Sequence, residues 1–306
     1  MKNILVDGMH GLGDNVLQRA VLRRLLATND DHIIWLRTPW PCLYHDLVGD
    51  RLRLINPVQT LRTQRKNAVR ESIRYDRYRP PPGRRLRIWY DHNSIRRYGS
   101  FLAGMLQTTL RWCGDADADF SLPVPTSWLD KANALIGRQQ KPLMVLRPLV
   151  ERTEWAGCAA RNPDAVAYAA LYNVIREQFF VVSIADLAPR QEWLVTQLSA
   201  DAIFHAGELD VETIAGLMSR AALTFCSPGF AIALSQSVGT PVLSVFGGHE
   251  SSTFYAIGSR FAPTLGIDPI KPCNCFSRAH ACDKRIDLPA AQSKIEDFIS
   301  EHCRAA

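Results

Sequence analysis

The fold is indicated first by the stretch ILVDGMHGLGDNVLQRAVLRRLL, which occupies residues 4–26. An apolar run gives way within two residues to three closely spaced glycines, and apolar residues then recur at helical spacing. This order predicts a buried strand, a glycine-rich turn and a helix. Such a turn presents backbone N–H groups and the positive end of the helix dipole, so phosphate or another anion is a natural ligand.

The spacing of these glycines does not fit two common nucleotide-binding motifs. Gly8, Gly11 and Gly13 read G-x-x-G-x-G, which differs from the dinucleotide fingerprint, and no lysine follows as a P-loop requires. A tight turn without a ligand, as occurs in any α/β protein, is the alternative.

Length and composition indicate a globular protein with one large or two ordinary domains. The chain has 306 residues, of which 47% are hydrophobic, enough for substantial cores. No apolar stretch approaches the roughly 18 residues of a membrane span, and Met1-Lys2 leads into the first strand without a cleavable signal pattern. We therefore expect a cytoplasmic protein, with peripheral association at the inner membrane face left open.

The chain contains eight cysteines, and without a secretory signal these are expected to be thiols. Four residues near the end of the chain could hold zinc: Cys273, Cys275, His280 and Cys282. However, one residue separates the first two thiols, whereas structural zinc sites usually use two to four. We therefore expect no bound metal, and the question stays open.

Positive charge is concentrated in residues 62–97, called here the basic segment. It holds eleven arginines and one lysine against three acidic residues, a local charge of +9 where the whole chain carries +6. Four aromatic residues are interleaved: Tyr75, Tyr78, Trp89 and Tyr90. A solvated surface is the ordinary interpretation, but this density favours an anionic partner, and nucleic acid fits the chemistry as well as an anionic acceptor does.

Strand and helix signals alternate along the chain, which predicts parallel sheets covered by helices. The alternation breaks over residues 62–87 and at an acidic, proline-rich crossing over 115–125, then restarts at residue 142. We expect two Rossmann-like, doubly wound domains facing a cleft, over 1–138 and 139–288, and a final helix in 289–306. Three further helical segments are expected, over residues 42–48, 95–113 and 191–198.

A second glycine-containing turn is expected in the stretch SPGFAIALSQSVGTPVLSVFGGH, residues 227–249. Ser227 is a good helix N-cap and Pro228 suits the first helical position. The N–H groups of Gly229 and Phe230 would then lie at the carboxyl edge of a sheet, where a diphosphate fits. The next strand ends at a glycine pair, which would let a second backbone segment approach the same ligand.

These motifs resemble the heptosyltransferase-like glycosyltransferases of family nine. The resemblance rests on Gly13-Asp14 followed by an apolar helix, on the G-T-P-V-x-x-x-F-G pattern of residues 239–247, and on their order and spacing. It implies a GT-B fold with the acceptor on the N-terminal domain, the nucleotide-sugar on the C-terminal domain, and the last helix packed back on the first domain. It also implies an inverting, metal-independent transfer that needs no cofactor besides the nucleotide-sugar.

The resemblance makes Asp14 the general base, which would accept the proton of the attacking hydroxyl. The alternative role for Asp14 is a helix N-cap, and His10 is a weaker candidate base. The donor-binding residues are expected to be Gly13, Arg147, Arg161, Glu192, Ser227, Pro228, Gly229, Phe230, Gly247, Gly248 and His249. The acceptor-binding residues are expected to be His10, Arg62, Arg65, Arg84 and Arg85.

Two departures from the family pattern leave the donor open. Where the family has Asp-Ser/Thr-Gly and a histidine three residues later, this chain has residues 227–229 and Ile232. The lysine expected before the first helix of the C-terminal domain is also missing, and Arg161 is a candidate substitute.

Three functions follow from this sequence. The first is transfer of a sugar to an anionic acceptor such as lipopolysaccharide core. The second is a phage-type enzyme that glycosylates hydroxylated DNA bases. The third is a non-catalytic relative that binds a nucleotide-sugar, since ligands of the family pattern are lost.

Overall fold

A computed structural model describes residues 2–58, 61–112, 118–153, 158–277 and 279–303. The chain divides into two compact units, Met1–Pro123 and Val124–Ala306. In the described residues no helix combines the length and the apolar character needed to cross a bilayer.

The first unit is built on a four-stranded parallel sheet of order β3-β2-β1-β4. Its strands are β1 Lys2–Asp7, β2 His32–Arg37, β3 Leu52–Ile55 and β4 Arg84–Arg87, and its helices are α1 Leu12–Thr28, α2 Arg62–Arg70, α3 His92–Tyr98 and α4 Phe101–Leu110. The chain runs outward from β1 to β3 and returns to the other side of β1 with β4. The strand order therefore reverses between β1 and β4, the place where open α/β sheets bind ligands.

The second unit contains a six-stranded parallel sheet of order β12-β11-β10-β5-β7-β9. Its elements are α5 Thr126–Ile136, β5 Leu143–Leu146, β6 Val150–Arg152, α6 Ala165–Ile175, β7 Phe180–Ile184, β8 Glu192–Leu194, β9 Ala202–Phe204, α7 Val211–Arg220, β10 Leu223–Cys226, α8 Phe230–Ser237, β11 Val242–Val245, β12 Thr264–Ile267 and α9 Leu288–His302. The order reverses between β5 and β10, so this sheet has its own switch point.

The strands of the second sheet are apolar because helices cover both faces. All four residues of β5, β10 and β11 are buried, as expected for a parallel sheet. Tyr168 of α6 packs on Phe225 of β10, with ring centroids 4.8 Å apart. Ile295 of α9 is fully buried in the same core.

The parallel α/β fold class is confirmed, but the structure divides the chain differently from the sequence prediction. The boundary lies near residue 123 rather than 138, because α5 packs against α7, where Gly216 brings the two backbones together at Trp128. Within the second unit, α9 packs against α6 and β12. Its apolar residues complete the core of that unit.

Several local predictions also differ from the structure. Residues 192–194 form a strand rather than a helix, because they pair antiparallel with β6. The helix expected over 95–113 is two helices, separated at Gly99 with φ of +78°, and its expected end at residues 113 and 114 lies outside the described residues. The basic segment contains α2, and the helical segment near residue 42 is a short 3₁₀ turn, Pro41–Tyr44.

Candidate active site

The glycine turn of the first unit lies at the switch point of its sheet, after the carboxyl end of β1. Helix α1 begins after Gly11, and no side chain caps it. Five other helices have their first N–H groups capped by side chains, those of Asp91, Ser100, Asp164, Asp210 and Asp287. Helix α1 therefore begins without an N-cap side chain, and the acidic residue of its first turn is Asp14.

A buried polar network holds this turn in place. Asn15 is fully buried and donates to the carbonyls of Met9 and Gly11, at 2.7 and 2.8 Å. Gln18, also fully buried, accepts from the N–H of Met9 at 2.8 Å and donates to Asn15. The hydroxyls of Thr38 and Tyr44 donate to Asn15 Oδ1. Because the buried polar groups satisfy one another, the turn is rigid before any ligand binds.

Asp14 lies in the first turn of α1, three residues after the N-cap, so the alternative role as N-cap is wrong. Its Oδ1 accepts a 2.6 Å hydrogen bond from the Tyr90 hydroxyl. Tyr90 follows β4, so this bond joins the two strands that flank the switch point. The carboxylate also lies over Gly11, where an added Cβ would approach Asp14 Oδ2 to 2.5 Å.

Asp7 ends β1 and pairs with two arginines from neighbouring strands. Its carboxylate contacts Arg37 at 2.8 Å and Arg85 at 2.5 Å. Burial alone would raise the pKa of Asp7, but the hydrogen bonds and charges of the two arginines outweigh it and hold that pKa below its usual range. Arg85 is therefore engaged in an ion pair at the sheet edge.

The other expected acceptor residues lie in the same unit. His10 is an exposed residue of the glycine turn, and its carbonyl accepts from Trp40 Nε1 at 2.9 Å and Gln64 Nε2 at 3.1 Å. Arg62 and Arg65 lie on α2, and Arg84 is exposed on the edge strand β4. Gln64 thus connects α2 to the glycine turn.

The glycine turn of the second unit also lies at a switch point, between β5 and β10. Helix α8 begins after Gly229 and has no side-chain cap. The prediction that Ser227 caps the helix and Pro228 opens it is therefore wrong, because the N-cap is Gly229, with φ of +154°. The first helical residue is Phe230.

Arg147 follows β5 directly and points toward the start of α8. Its guanidinium lies 5.7 Å from the ring centroid of Phe230, and Nη1 donates to the carbonyl of Ile184 at 3.2 Å. His205 lies nearby, with Nε2 2.8 Å from the Ser183 hydroxyl. Burial and the charge of Arg147 lower the pKa of His205. This edge of the sheet therefore carries one fixed cation beside a histidine that favours its neutral form.

Two expected donor residues form ion pairs within the second unit. Arg161 contacts the buried Glu250 at 2.5 Å and also donates to the Tyr255 hydroxyl at 3.2 Å. Glu192 is buried on β8, 3.3 Å from Arg152. These contacts orient both side chains toward protein partners.

The glycine pair after β11 serves close packing of the chain. A Cβ at Gly247 would overlap the carbonyl of Asn162, and Gly248 has φ of +84°. His249 is buried, with its ring 5.6 Å from that of Phe276 and 5.9 Å from that of His280.

The residues considered for zinc come together in the segment between β12 and α9. One ligand atom from each of Cys273, Cys275, His280 and Cys282 lies within 4.8 Å of every other. The single residue between Cys273 and Cys275 made a shared metal site unexpected. The structure nevertheless brings all four side chains together.

Several residues of the two sites could not be identified from the sequence. Tyr90 was noted only as an aromatic residue of the basic segment, and its contact with Asp14 spans 76 positions. Asn15 and Gln18 interrupt the apolar pattern of α1 at buried positions, which is a signal that sequence reasoning could have used. Lys284 donates to the carbonyls of Ala159 and Asn162, in the loop where the family lysine is missing.

Comparison with known proteins identifies the fold. No protein-family model and no curated protein sequence matches this chain. Among solved structures, E. coli ADP-heptose lps heptosyltransferase II superposes with a TM-score of 0.55 at 15% identity, over 97% of this chain and 100% of that one. A glycosyl transferase family 9 protein from Veillonella parvula gives a TM-score of 0.58 at 14% identity, over 99% and 97%.

A third solved structure has a higher TM-score. The iron-containing dodecameric glycosyltransferase TibC from enterotoxigenic E. coli gives 0.62 at 12% identity, over 99% of this chain and 79% of that one. The chain therefore has the fold of heptosyltransferases and family 9 glycosyltransferases, as the resemblance implied.

Proposed function

We propose that this protein is an inverting glycosyltransferase that moves a sugar from a nucleotide-sugar to an anionic acceptor. One observation carries this proposal. Each sheet has at its switch point a helix that begins at a glycine without a side-chain cap, one beside a carboxylate and the other beside a guanidinium. A base and a diphosphate site are the two parts that such a transfer requires.

Asp14 is the proposed general base. Its carboxylate accepts the proton of the acceptor hydroxyl while that oxygen forms a bond to the anomeric carbon. The bond between this carbon and the phosphate oxygen breaks on the opposite side, which inverts the configuration. Tyr90 holds Asp14 through its 2.6 Å hydrogen bond.

The leaving nucleoside diphosphate is proposed to bind at the start of α8. The N–H groups of Gly229 and Phe230 and the guanidinium of Arg147 would take the charge that develops on the phosphate oxygen. The donor is proposed to be a nucleoside diphosphate hexose or heptose. The E. coli structure of similar fold is described as an ADP-heptose heptosyltransferase. The transfer step itself is proposed to need no metal.

The remaining expected donor residues are proposed to hold the backbone of the site in position rather than to contact the donor. Gly247, Gly248 and His249 would shape the second backbone segment near the ligand. Arg161 and Glu192 are proposed to position the loops that carry them, since both are ion-paired.

The acceptor is proposed to be a glycolipid such as lipopolysaccharide core, met at the cytoplasmic membrane face. The basic segment exposes aliphatic residues among its arginines, with Val69 75% and Ile73 91% exposed. Aliphatic side chains suit lipid, and Tyr78 and Trp89, exposed in the same segment, suit stacking on bases, so DNA is tested as the second acceptor. Arg70 and Arg74 beside them suit acidic head groups.

The test is a transfer assay with a panel of nucleotide-sugars and two acceptors, a lipopolysaccharide core glycolipid and DNA containing 5-hydroxymethylated bases. We expect nucleoside diphosphate release and a mass gain of one sugar on the glycolipid only. Transfer to the DNA would make the protein a DNA-modifying enzyme. Binding of a nucleotide-sugar without transfer to either acceptor would make it a non-catalytic relative.

A further inference from the structure

The segment between β12 and α9 carries four side chains with metal-ligating atoms within ten positions. Cys273 Sγ lies 3.1 Å from His280 Nε2, and the ligand atoms of Cys275 and Cys282 complete a group no wider than 4.8 Å. Tetrahedral zinc with bonds of about 2.3 Å to sulfur places its ligands about 3.8 Å apart. The group is therefore close to the size that one ion requires.

The backbone explains why a spacing of one residue between the first two thiols suffices. Asn274 and Phe276, on either side of Cys275, have φ of +49° and +53°. Asparagine tolerates this left-handed conformation, but a phenylalanine adopts it only where its surroundings enforce it. The two turns fold residues 273–276 back on themselves, so that both thiols reach the same point.

The segment is attached to the turn that follows β11. The Gly248 carbonyl accepts from Cys273 Sγ at 3.1 Å and from the N–H of Asn274 at 2.9 Å. The N–H of Phe276 donates to the carbonyl of His249 at 3.1 Å. Two residues beyond Cys282, Lys284 donates to the loop that precedes α6.

We propose that Cys273, Cys275, His280 and Cys282 bind one thiophilic divalent ion, Zn²⁺ or Fe²⁺, in a tetrahedral structural site. Three thiolates and one imidazole are the ligands that such ions take in closed sites. Four protein ligands leave no open position for water or substrate, so the ion takes no part in chemistry. Up to three thiol protons are released when it binds.

The ion would cross-link the segment between β12 and α9, which already bonds to the turn after β11 and to the loop before α6. It fixes the start of the segment, which bonds to the carbonyls of Gly248 and His249. It also fixes the end of the segment, near Lys284. The site therefore stabilises the backbone around the turn after β11, and its loss loosens that region while the sheet core stays folded.

The test measures metal content by mass spectrometry on the full chain, purified without metal-affinity steps and dialysed. We expect about one ion per chain, with zinc or iron identified directly, and about one Co²⁺ per metal-free chain with thiolate charge-transfer absorption. Cys282→Ser and His280→Ala should each lose the ion. Both positions lie outside the sheet core, and circular dichroism checks that each variant is folded.

Cys42→Ala is the matched control, because this thiol is buried in the first unit and should leave the metal content unchanged. The proposal is overturned if the wild-type chain holds no metal and takes up no Co²⁺. It is also overturned if Cys282→Ser retains as much metal as Cys42→Ala. Fewer than eight titratable thiols in the denatured, unreduced chain, together with absence of metal, would instead assign a disulfide and reject the site.

Discussion

Helices α1 and α8 begin in the same way and differ in what surrounds them. Both follow a glycine at a switch point and lack a side-chain cap. The turn before α1 rests on buried polar residues such as Asn15 and Gln18 and carries a carboxylate, Asp14. The start of α8 has the guanidinium of Arg147 5.7 Å from the Phe230 ring, and Ile232 of that helix is fully buried.

The comparison is the basis on which we propose different roles for the two turns. The backbone supplies the same partial positive charge at both helix starts. The side chain beside it then decides the role, because a carboxylate can take a proton whereas a guanidinium binds phosphate. We therefore propose proton transfer for the first unit and diphosphate binding for the second.

The largest effect is expected from Asp14→Asn. The amide has nearly the same shape but cannot take a proton, so kcat should fall by about 10²- to 10⁴-fold, while nucleotide binding stays within about twofold. Initial rates of nucleoside diphosphate release measure the change. Asp30→Asn, at an exposed position near the end of α1, is the control and should keep full activity. Equal activity of both variants would remove Asp14 from the chemistry.

A smaller effect is expected from Arg147→Ala, which removes the cation of the second unit. A hydrogen bond to a charged group contributes about 1.5–3 kcal/mol, so nucleoside diphosphate affinity should fall by about 10- to 100-fold. Calorimetric titration measures this, and Arg190→Ala is the exposed control. Unchanged affinity in Arg147→Ala would mean that the phosphates bind elsewhere.

Tyr90→Phe should act only through Asp14. Loss of the hydroxyl lets the carboxylate leave its position over Gly11, so we expect kcat to fall by about tenfold with little change in KM, an effect of about 1.4 kcal/mol. Tyr78→Phe, at an exposed position in the same segment, is the control. A change confined to KM would assign Tyr90 to acceptor binding instead.

The smallest effect is expected from Asp7→Asn, which removes the two ion pairs at the end of β1. Because the pKa of Asp7 is lowered in the folded chain, its ionised form stabilises the first unit above the ordinary carboxyl pKa. That contribution is lost as pH falls through the lowered value. Urea unfolding at pH 7 should show a loss of about 1 kcal/mol or less, as expected for partly exposed pairs.

The pH dependence distinguishes an ion pair from simple packing. The difference between Asp7→Asn and the wild-type chain should shrink as the pH is lowered below about 4. A difference that is constant with pH would attribute the loss to altered packing.

Much of the fold was predictable because apolar runs and glycines are local signals. The strands near residues 4, 143, 223 and 242 and helix α7 follow directly from such runs. The strand at 192–194 was not predictable, because its antiparallel pairing with β6 depends on residues about 40 positions away. Helix α9 was predicted from its apolar stripe, which marks a buried face without identifying the elements that bury it.

The sites were predictable only where the backbone defines them. The two glycine turns follow from spacing, but the N-cap of α8 was misassigned because Ser227 and Pro228 are good capping residues and the structure uses Gly229 instead. Ion pairs such as that of Arg161 with Glu250 join residues far apart in sequence. Such long-range pairing decides which charged residues remain available to a ligand.

The most direct test is calorimetric titration of ADP, UDP, GDP and CDP into the wild-type chain, Asp14→Asn and Arg147→Ala. We expect one nucleotide to bind the wild-type chain and Asp14→Asn with equal affinity, and to bind Arg147→Ala at least about tenfold more weakly. Binding of none of the four, or a loss in Asp14→Asn as large as in Arg147→Ala, would contradict the division of roles between the two helix starts.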